Sequence, residues 1–322
     1  MSTPSEVRSF EKFNYLLRPS KQVERKLFIE ALHRLGARFP IRQYKYLGLG
    51  SIYYADFILF HRHLYIDDMI CVEAADIEKR MRFNCPFDFI DLRLQPVSKV
   101  IPTLDRKQRY IAWLDYDCPL SDEVLADTSG IVHVLAPGSI LIVTVEADPR
   151  LPHDEAEDEQ CRARHIDGRL ATFREQLGRY YPGRVQRSVM SRTGLPAFFG
   201  RVLDSAIREA VARRQGLEFC QIFNLTYADG AQMMTLGGMI GDATDGARLE
   251  QTGVYDLHFV TRAKDPIRIS VPPLTVREKQ WLDQHLGDSL KAEDLEFELP
   301  EQMLKNFRRF YRYYPTYYEV LA

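Results

Sequence analysis

The sequence lacks the features that mark secreted, membrane-spanning and disulfide-rich proteins. No run approaches the ~18 apolar residues of a membrane-spanning helix, and the polar N-terminus contains no apolar stretch of signal-peptide length. The five cysteines include no Cys-x-x-Cys pair, which disfavours both a disulfide framework and a zinc site. We therefore expect a reduced, cytoplasmic protein with no membrane partner and no metal site.

Several catalytic signatures are also missing. The sequence has no Gly-Lys-Ser/Thr of a P-loop, no His-Glu-x-x-His of a zinc peptidase and no Gly-x-Ser-x-Gly of a serine hydrolase. It has no Tyr-x-x-x-Lys, the pair typical of short-chain dehydrogenases. The net charge is only −2, so any binding of nucleic acid must come from a local patch.

The composition is that of an ordinary globular protein. Of the 322 residues, 45% are apolar and 27% are charged, which is usual for a soluble fold. A chain of this length can build one large α/β domain with additions, or two domains. The sequence contains no internal repeat and no low-complexity tract, so nothing in it indicates a fibrous or repetitive architecture.

The stretch from Tyr44 to Asp76 has the order strand, glycine turn, helix, strand, acid. Its pieces are Tyr44–Leu47, the turn with Gly48, Gly50 and Ser51, the helix 52–63, the strand Met69–Val72, and Glu73. In a βαβ unit such glycines let the backbone approach a nucleotide-like ligand, and the acid accepts hydrogen bonds from ribose hydroxyls. The alternative is an ordinary glycine turn followed by a solvated glutamate.

Further apolar runs continue the pattern. The segment from Arg109 to Pro119 ends in Asp115 and Asp117, and Ser139–Val145 follows Gly138. Strands that end in polar residues predict one sheet whose carboxyl ends form a site. We expect four adjacent central strands, because each run is largely apolar, as strands covered on both faces should be. These strands are 44–47, 69–72, 111–114 and 140–145.

Weaker elements lie between the second and third of these strands. A charged helix is predicted over 76–82, before Pro86, and a short strand over 87–92 contains Asp91. A helix or turn is predicted over 97–104. In nucleoside-binding α/β sites a polar residue near this point often meets the base, which makes Asp91 a candidate.

The first helix candidate begins at Ser20 and stops near Gly36. Its apolar residues recur at helical spacing, and they are Val23, Leu27, Ala31, Leu32 and Leu35. The opposite face carries Lys21, Arg25 and Lys26. A solvated face is the simpler interpretation. The alternative is a phosphate contact beside the site, because this helix immediately precedes the glycine strand.

Residues 151–216 change character. An acidic run, Asp154–Glu159, precedes a segment over 160–216 that holds 12 Arg, no Lys and only four Asp and Glu, a local charge of +8. Arginine-rich segments of this kind suit contacts with nucleic acid or a phosphorylated substrate. The simpler interpretation is a solvated helical insertion whose inner face carries Leu203, Ile207 and Val211.

The C-terminal part begins with a hairpin signal. Two apolar runs, 219–227 and 231–240, flank Asp229-Gly230, a dipeptide strongly associated with tight hairpin turns. A further strand is predicted over Tyr255–Thr261.

The end of the chain predicts helices. Thr275 and Glu278 form a capping-box pattern that opens a helix over 276–286. The aromatic and basic tail, 301–318, predicts a helix whose aromatic stripe packs against the rest of the chain.

The order of the glycine turn, Glu73, Asp91 and the Leu-Asp-Tyr-Asp strand end resembles the class I S-adenosylmethionine-dependent methyltransferases, and the Asp229-Gly230 hairpin is similar to the strand pair that closes their sheet. The resemblance covers roughly residues 20–262. It implies a Rossmann-like, doubly wound, mostly parallel α/β sheet with a C-terminal antiparallel hairpin, here carrying an arginine-rich helical insertion and a helical tail. The implied division is a methyltransferase domain over 1–262, with its insertion at 151–216, and a small helical extension over 263–322.

The resemblance also implies roles for single residues. Gly48, Gly50 and Ser51 would lie against the methionine end of S-adenosylmethionine, Glu73 would bind its ribose, and Asp91 would bind its adenine. Asp115 would lie near the sulfonium, and Asp115 or Asp117 would take the proton of a hydroxyl acceptor. Both could instead be ribose, helix-cap or cofactor-amine contacts.

The chain departs from the family pattern at three places. Tyr46 stands where the family commonly has an acid, and Tyr53 stands where it has a third glycine. The sequence Asp115-Tyr116-Asp117-Cys118 replaces the Asn/Asp-Pro-Pro-Tyr/Phe of the usual amino methyltransferases. These differences favour an oxygen acceptor or an unusual nitrogen acceptor.

Three functions therefore stand at this stage. The leading one is an S-adenosylmethionine-dependent methyltransferase of unknown acceptor. The second is a catalytically inactive methyltransferase-like binding subunit, which the missing glycine and acid would allow. The third is a nicotinamide-dependent oxidoreductase, which Glu73 would also permit, although the hairpin counts against it. The acceptor and the oligomeric state do not follow from the sequence.

Overall fold

The computed structural model describes residues 18–150, 159–287 and 290–315. The helices are α1 (Pro19–Leu35), α2 (Ala55–Leu64), α3 (Glu78–Asn84), α4 (Val97–Val100), α5 (Asp122–Val134), α6 (Glu159–Leu177), α7 (Gly194–Ala212), α8 (Ala243–Glu250), α9 (Val276–Gln284) and α10 (Glu301–Phe310). The strands are β1 (Lys45–Leu49), β2 (Met69–Val72), β3 (Ile90–Arg93), β4 (Tyr110–Pro119), β5 (Ser139–Glu146), β6 (Glu218–Asp229), β7 (Ala231–Gly241) and β8 (Ile267–Arg268).

One eight-stranded sheet organises these elements, in the order β3-β2-β1-β4-β5-β7-β6-β8. Within the described chain only β7 runs antiparallel to its neighbours, β5 and β6. The four strands predicted to be adjacent and central are β2, β1, β4 and β5, and that prediction is confirmed. The chain order reverses between β1 and β4, which is where ligands bind in open α/β sheets.

The glycine turn begins later than the sequence predicted. Gly48 lies inside β1, paired with Cys71 on one side and Trp113 on the other. A Cβ atom on Gly48 would stand 2.5 Å from the hydroxyl oxygen of Tyr46. Gly48 therefore serves strand packing, because only a hydrogen leaves room for the Tyr46 ring.

Helices cover both faces of the sheet. On one face α1 and α2 pack their apolar residues around Trp113, with the Phe28 ring 4.9 Å from it. On the other face α5 and α7 form a second core. Leu203, Ile207 and Val211 are buried there, so the predicted inner face of the insertion is confirmed. The doubly wound α/β fold follows from these two layers.

The β6–β7 hairpin turns at Asp229-Gly230, as predicted, with Gly230 at a φ of +110°. The strand predicted over Tyr255–Thr261 is wrong, because a 3₁₀ turn occupies Val254–Asp256. Val254 and Phe259 are buried in the core under α1, so the apolar residues serve packing of a loop instead of a sheet edge.

The C-terminal segment has a small core of its own. Leu282, Leu299, Leu304 and Phe307 form this cluster between α9 and α10. The capping box is confirmed, since the Thr275 hydroxyl accepts from the Glu278 amide and the Glu278 carboxylate accepts from the Thr275 amide. The division at residue 262 stays a prediction. Among the helices that the structure describes, none is both long enough and apolar enough to cross a membrane.

Candidate functional site

A cavity of about 800 Å³ opens at the carboxyl ends of β1, β2 and β4. This is the point where the chain order reverses in the sheet. The volume falls within the ~300–1,000 Å³ that small-molecule and cofactor sites occupy. Five predicted site residues line it, and they are Gly50, Ser51, Glu73, Asp115 and Asp117. The structure therefore brings these five to one site, although they come from β4 and from the loops that follow β1 and β2.

Gly50 forms part of the cavity wall directly after β1. Its amide donates to the Val72 carbonyl at 2.6 Å, which joins the ends of β1 and β2. A Cβ atom on Gly50 would stand 2.6 Å from the Cys71 sulfur and 3.0 Å from the Met81 side chain. Glycine is thus required here by packing, and its backbone can approach a ligand closely.

Glu73 follows β2 at the next position along the cavity wall. Its Oε1 atom accepts a hydrogen bond from the Ala75 amide at 2.8 Å, which fixes the carboxylate at the strand end. The position matches the one expected for an acid that receives hydroxyl donors from a ribose.

Two other predicted residues are not brought to the cavity. Gly48 lies inside β1, and Asp91 is the second residue of β3, half-exposed and paired with Arg93 at 2.8 Å. Neither contributes to the lining. The adenine contact predicted for Asp91 stays a prediction. In this structure the Asp91 carboxylate pairs with the Arg93 guanidinium, two residues further along β3.

The first helix brings charged residues that the sequence reading left on a solvated face. Lys21 is buried, and its Nζ lies 2.8 Å from Asp115 Oδ1 and 2.9 Å from Glu24 Oε2. The same Nζ lies 4.4 Å from the centre of the Trp113 ring. The prediction of a solvated face is therefore wrong for Lys21, because α1 lies with this face against the ends of the central strands.

The start of α1 is fixed by the β6–β7 hairpin. The amides of Ser20 and Lys21 donate to the two carboxylate oxygens of Asp229 at 3.0 and 2.9 Å. A carboxylate at a helix N-terminus satisfies amides that have no partner within the helix. Asp229 thereby sets where Lys21 and the residues after it meet the cavity.

Glu24 connects the helix to the sheet. Its side chain accepts a hydrogen bond from the Thr235 hydroxyl, and Thr235 lies 2.9 Å from the Thr144 hydroxyl. The Trp113 indole donates to Thr144 at 3.0 Å. Burial raises the pKa of Glu24 above its usual range, while the Lys21 ammonium acts in the opposite direction. The network holds α1 against β4, β5 and β7.

Arg25 and Asp56 line the cavity and were not among the predicted site residues. Arg25 is 4% exposed, and its Nε and Nη1 atoms have no hydrogen-bond partner among the residues that the structure describes. Asp56, in the first turn of α2, accepts from the Tyr46 hydroxyl, and burial raises its pKa. One indication in the sequence that another part of the chain supplies an acid here is Tyr46, which stands where the family commonly has one.

Tyr116 and Asp127 form a pair on the wall beside Asp117. The Tyr116 hydroxyl donates to Asp127 Oδ2 at 2.9 Å, and burial raises the pKa of both groups. Asp117 itself is exposed. Within the described residues no group of three or more His, Cys, Asp or Glu side chains is arranged to hold a metal ion.

Solved structures similar to this chain include two methyltransferases and a third protein determined with S-adenosyl-L-methionine. Trm1 from Pyrococcus horikoshii, determined with S-adenosyl-L-methionine, is 13% identical, with a TM-score of 0.49 over 76% of this chain and 60% of Trm1. The O-methyltransferase TomG from Streptomyces achromogenes is 13% identical, with a TM-score of 0.37 over 71% of this chain and 91% of TomG. The N-methyltransferase NodS from Bradyrhizobium japonicum WM9 is 11% identical, with a TM-score of 0.36 over 68% of this chain and 97% of NodS.

Sequence comparison identifies the family more clearly than these distant structures do. No curated protein matches the chain. A family model described as "Putative O-methyltransferase" matches residues 13–322, which is nearly the whole chain. The strand order and the glycine and acid at the switch point agree with the resemblance drawn from the sequence. The chain therefore belongs to this family, and it is a class I, Rossmann-like methyltransferase that depends on S-adenosylmethionine.

Proposed function

We propose that this enzyme transfers the methyl group to an oxygen atom of a small-molecule acceptor. The observation that carries the proposal is the position of Asp115, whose carboxylate lies in the same cavity as Gly50 and Glu73. There it can receive the proton that a hydroxyl acceptor loses. The family description, an O-methyltransferase, supports an oxygen acceptor.

The cavity fits the cofactor by its own features. Gly50 lines the cavity with its backbone, since a side chain there would clash with Cys71 and Met81, and Glu73 offers a carboxylate at the end of β2. S-adenosylmethionine supplies a methyl group on an activated sulfonium, so alignment of donor and acceptor provides most of the rate enhancement. We infer that Gly50, Ser51 and Glu73 contact the cofactor.

Lys21 positions Asp115 for this role. Its ammonium holds Oδ1 of Asp115 at 2.8 Å, and Lys21 is itself held by Glu24. The carboxylate is thus oriented by a buried side chain and needs little rearrangement when the acceptor arrives. Asp117, exposed two residues further along β4, is the second candidate for the proton acceptor.

The strand end argues against the usual amino acceptors. Strand β4 continues through Asp115-Tyr116-Asp117-Cys118 to Pro119, where amino methyltransferases of the resembled class carry Pro-Pro-Tyr or Pro-Pro-Phe. Tyr116 is directed to Asp127 by a hydrogen bond. An adenine or cytosine amino group would therefore lack its usual partners here.

The proposal is tested by transfer of label from methyl-labelled S-adenosylmethionine to small-molecule and macromolecular fractions of a cell extract. We expect a labelled small-molecule ether or ester, and at least a 100-fold lower rate for Asp115→Asn, the lower end of the effect of general acid–base catalysis. Asp91→Asn, which alters a carboxylate outside the cavity, is the control. Label that enters only amines, or only nucleic acid, would refute an oxygen acceptor on a small molecule.

The two alternatives considered from the sequence gain no support. The family match identifies a methyltransferase, which leaves no basis for a nicotinamide-dependent oxidoreductase. The family match likewise gives no support to an inactive binding subunit. Binding of the cofactor without any transfer of label would revive that second alternative.

A further inference from the structure

The cavity contains a buried charge of one sign and a partly buried charge of the other sign, and the described residues leave both incompletely paired. The positive charge is Arg25 of α1, and the negative charge is Asp56 of α2. A buried charge is costly unless a partner compensates it. Two such charges on one cavity wall therefore point to a ligand that carries both signs.

Arg25 is the clearer of the two. Its side chain is 4% exposed, yet Nε and Nη1 donate to no acceptor in the part of the chain that the structure describes. Arg25 lines the cavity, and guanidinium groups bind carboxylates through two parallel N–H donors, so a carboxylate is the ligand group that suits it.

Asp56 offers the complementary group. One carboxylate oxygen, Oδ2, accepts from the Tyr46 hydroxyl, which anchors the side chain at the β1 end. Burial raises the pKa of Asp56, and the nearby Asp115 carboxylate acts in the same direction, whereas Arg25 opposes them. A cationic ligand group would relieve this cost.

The two groups lie close enough to interact electrostatically, but among the described residues they form no ion pair with each other. Asp115 of β4, beside which the reacting methyl group is expected, lines the same cavity as Arg25 and Asp56. Glu73, the candidate ribose ligand, lies at the end of β2, beyond β1 from Asp115.

We propose that Arg25 and Asp56 hold the α-carboxylate and the α-ammonium group of the methionyl part of the cofactor. The proposal rests on the proposed function, because it assumes that the cavity binds S-adenosylmethionine. An anionic acceptor would pair with Arg25 alone and would leave Asp56 uncompensated, so a zwitterion accounts for both residues.

The proposal explains two departures from the family pattern. Tyr46 replaces the family's acid on β1, and its hydroxyl reaches over Gly48 to Asp56. The acid is thus supplied from the first turn of α2 instead of from the strand. Gly48 is explained by the same arrangement, because any side chain there would block the Tyr46 ring.

Isothermal titration with two ligands tests the proposal without measuring activity. S-adenosylhomocysteine carries the amino-acid group, and 5′-methylthioadenosine lacks it. We expect Arg25→Gln and Asp56→Asn each to weaken S-adenosylhomocysteine by roughly 10- to 100-fold, the range for hydrogen bonds to charged groups, and 5′-methylthioadenosine by less than about 2-fold. Arg34→Gln, on an exposed turn of the same helix, is the matched control and should leave both affinities unchanged.

The outcomes separate the proposals. If the wild-type protein binds neither ligand, the proposed function fails and this inference with it. If the wild type binds S-adenosylhomocysteine but Arg25→Gln weakens both ligands equally, Arg25 has only a structural role and the inference alone is wrong. An unchanged affinity of Arg25→Gln for S-adenosylhomocysteine would contradict the inference, because Arg25 would then make no contact with the amino-acid group. Should Arg25→Gln fail to fold, Arg25→Lys keeps the charge, loses the two-pronged geometry and should still weaken S-adenosylhomocysteine selectively.

Discussion

Two regions of this molecule carry conspicuous charge, and they use it in opposite ways. The polar face of α1 has three charged residues in one turn, Lys21, Glu24 and Arg25, all buried. The segment 160–216 has 12 arginines and a local charge of +8. The smaller group lies at the cavity and the larger group lies over α5, β6 and β7, on another part of the sheet.

Several arginines of segment 160–216 pair with acidic side chains or carbonyls of the chain itself. Exposed ion pairs join Arg187 to Asp167, Arg208 to Asp204, and Arg213 to Glu209. Others donate to carbonyls, as Arg214 does to Val132 and Leu135 at 2.6 and 2.7 Å. The acidic residues 154–158 lie outside the described residues, so their predicted solvation stays untested.

The difference teaches that charge density is a weaker sign of a site than burial with incomplete pairing. An exposed pair is worth little and is easily satisfied locally. A buried ion without a full set of partners carries a large desolvation cost, which persists in a fold only where something offsets it. The following variants test this contrast.

The largest effect is expected from Lys21→Met. The change leaves the Glu24 carboxylate, which is 0% exposed, without its counter-charge. Breaking a buried pair in this way costs about 3–5 kcal/mol of the free energy of unfolding. Urea unfolding measures it, with Arg213→Met as the control, because its exposed pair with Glu209 should contribute below about 0.5 kcal/mol. Equal losses in the two variants would break the comparison.

Glu73→Ala should have the next largest effect, on binding instead of stability. We expect S-adenosylmethionine to bind more weakly by about 1.5–3 kcal/mol, the scale of hydrogen bonds to a charged group. The matched variant Asp91→Ala removes a half-exposed carboxylate outside the cavity and should leave the affinity unchanged. A dissociation constant that is unaltered in Glu73→Ala would show that Glu73 does not bind the ribose.

The pH dependence of stability should have opposite signs in the two regions. Burial raises the folded-state pKa of Asp56 above 3.8, so the unfolded chain loses that proton first and the free energy of unfolding falls as pH rises through this window. Asp56→Asn should therefore gain stability relative to wild type as pH rises from about 4, the unfolded-state value. The hydrogen bond from Arg187 lowers the pKa of Asp167. The pair therefore stabilises the fold above about pH 3.8, and this stabilisation is lost as the pH falls through the folded-state pKa.

Asp167→Asn is accordingly the control with the reverse trend, since it should lose stability relative to wild type as pH rises. Urea midpoints of the three proteins over a pH series measure both differences. Parallel curves for the two variants would contradict the interpretation that Asp56 is a desolvated acid whose charge is incompletely compensated.

The smallest effect concerns the arginines. We propose that any phosphate contact of segment 160–216 is made by Arg184 and Arg192, which are exposed and form no ion pair within the described residues, and not by Arg187. Replacing both with alanine should flatten the salt dependence of nucleic-acid binding by up to about 2 log–log units, and Arg187→Ala should leave it unchanged. Negligible binding by the wild type at about 50 mM salt would remove nucleic acid as a partner.

Much of the fold follows from local pattern. The four central strands are apolar because both faces are covered, and the hairpin is set by Asp229-Gly230. Gly50 and Glu73 were found for the same reason, since the turn and the acid lie within one βαβ unit. Asp91 lies inside β3 and outside the cavity lining, which the sequence does not reveal because it does not show where a four-residue strand ends.

By itself, then, the sequence determined the sheet, the switch point and the acids at its edge, because each depends on neighbours in the chain. Only the tertiary structure decided what α1 does. The periodicity fixed its apolar face, but whether the opposite face meets water or a cavity depends on distant elements. Lys21 meets Asp115 across 94 residues of sequence, and Asp229 holds the start of the helix from 208 residues away. Burial of charge is a property of the assembled layers, and no local spacing encodes it.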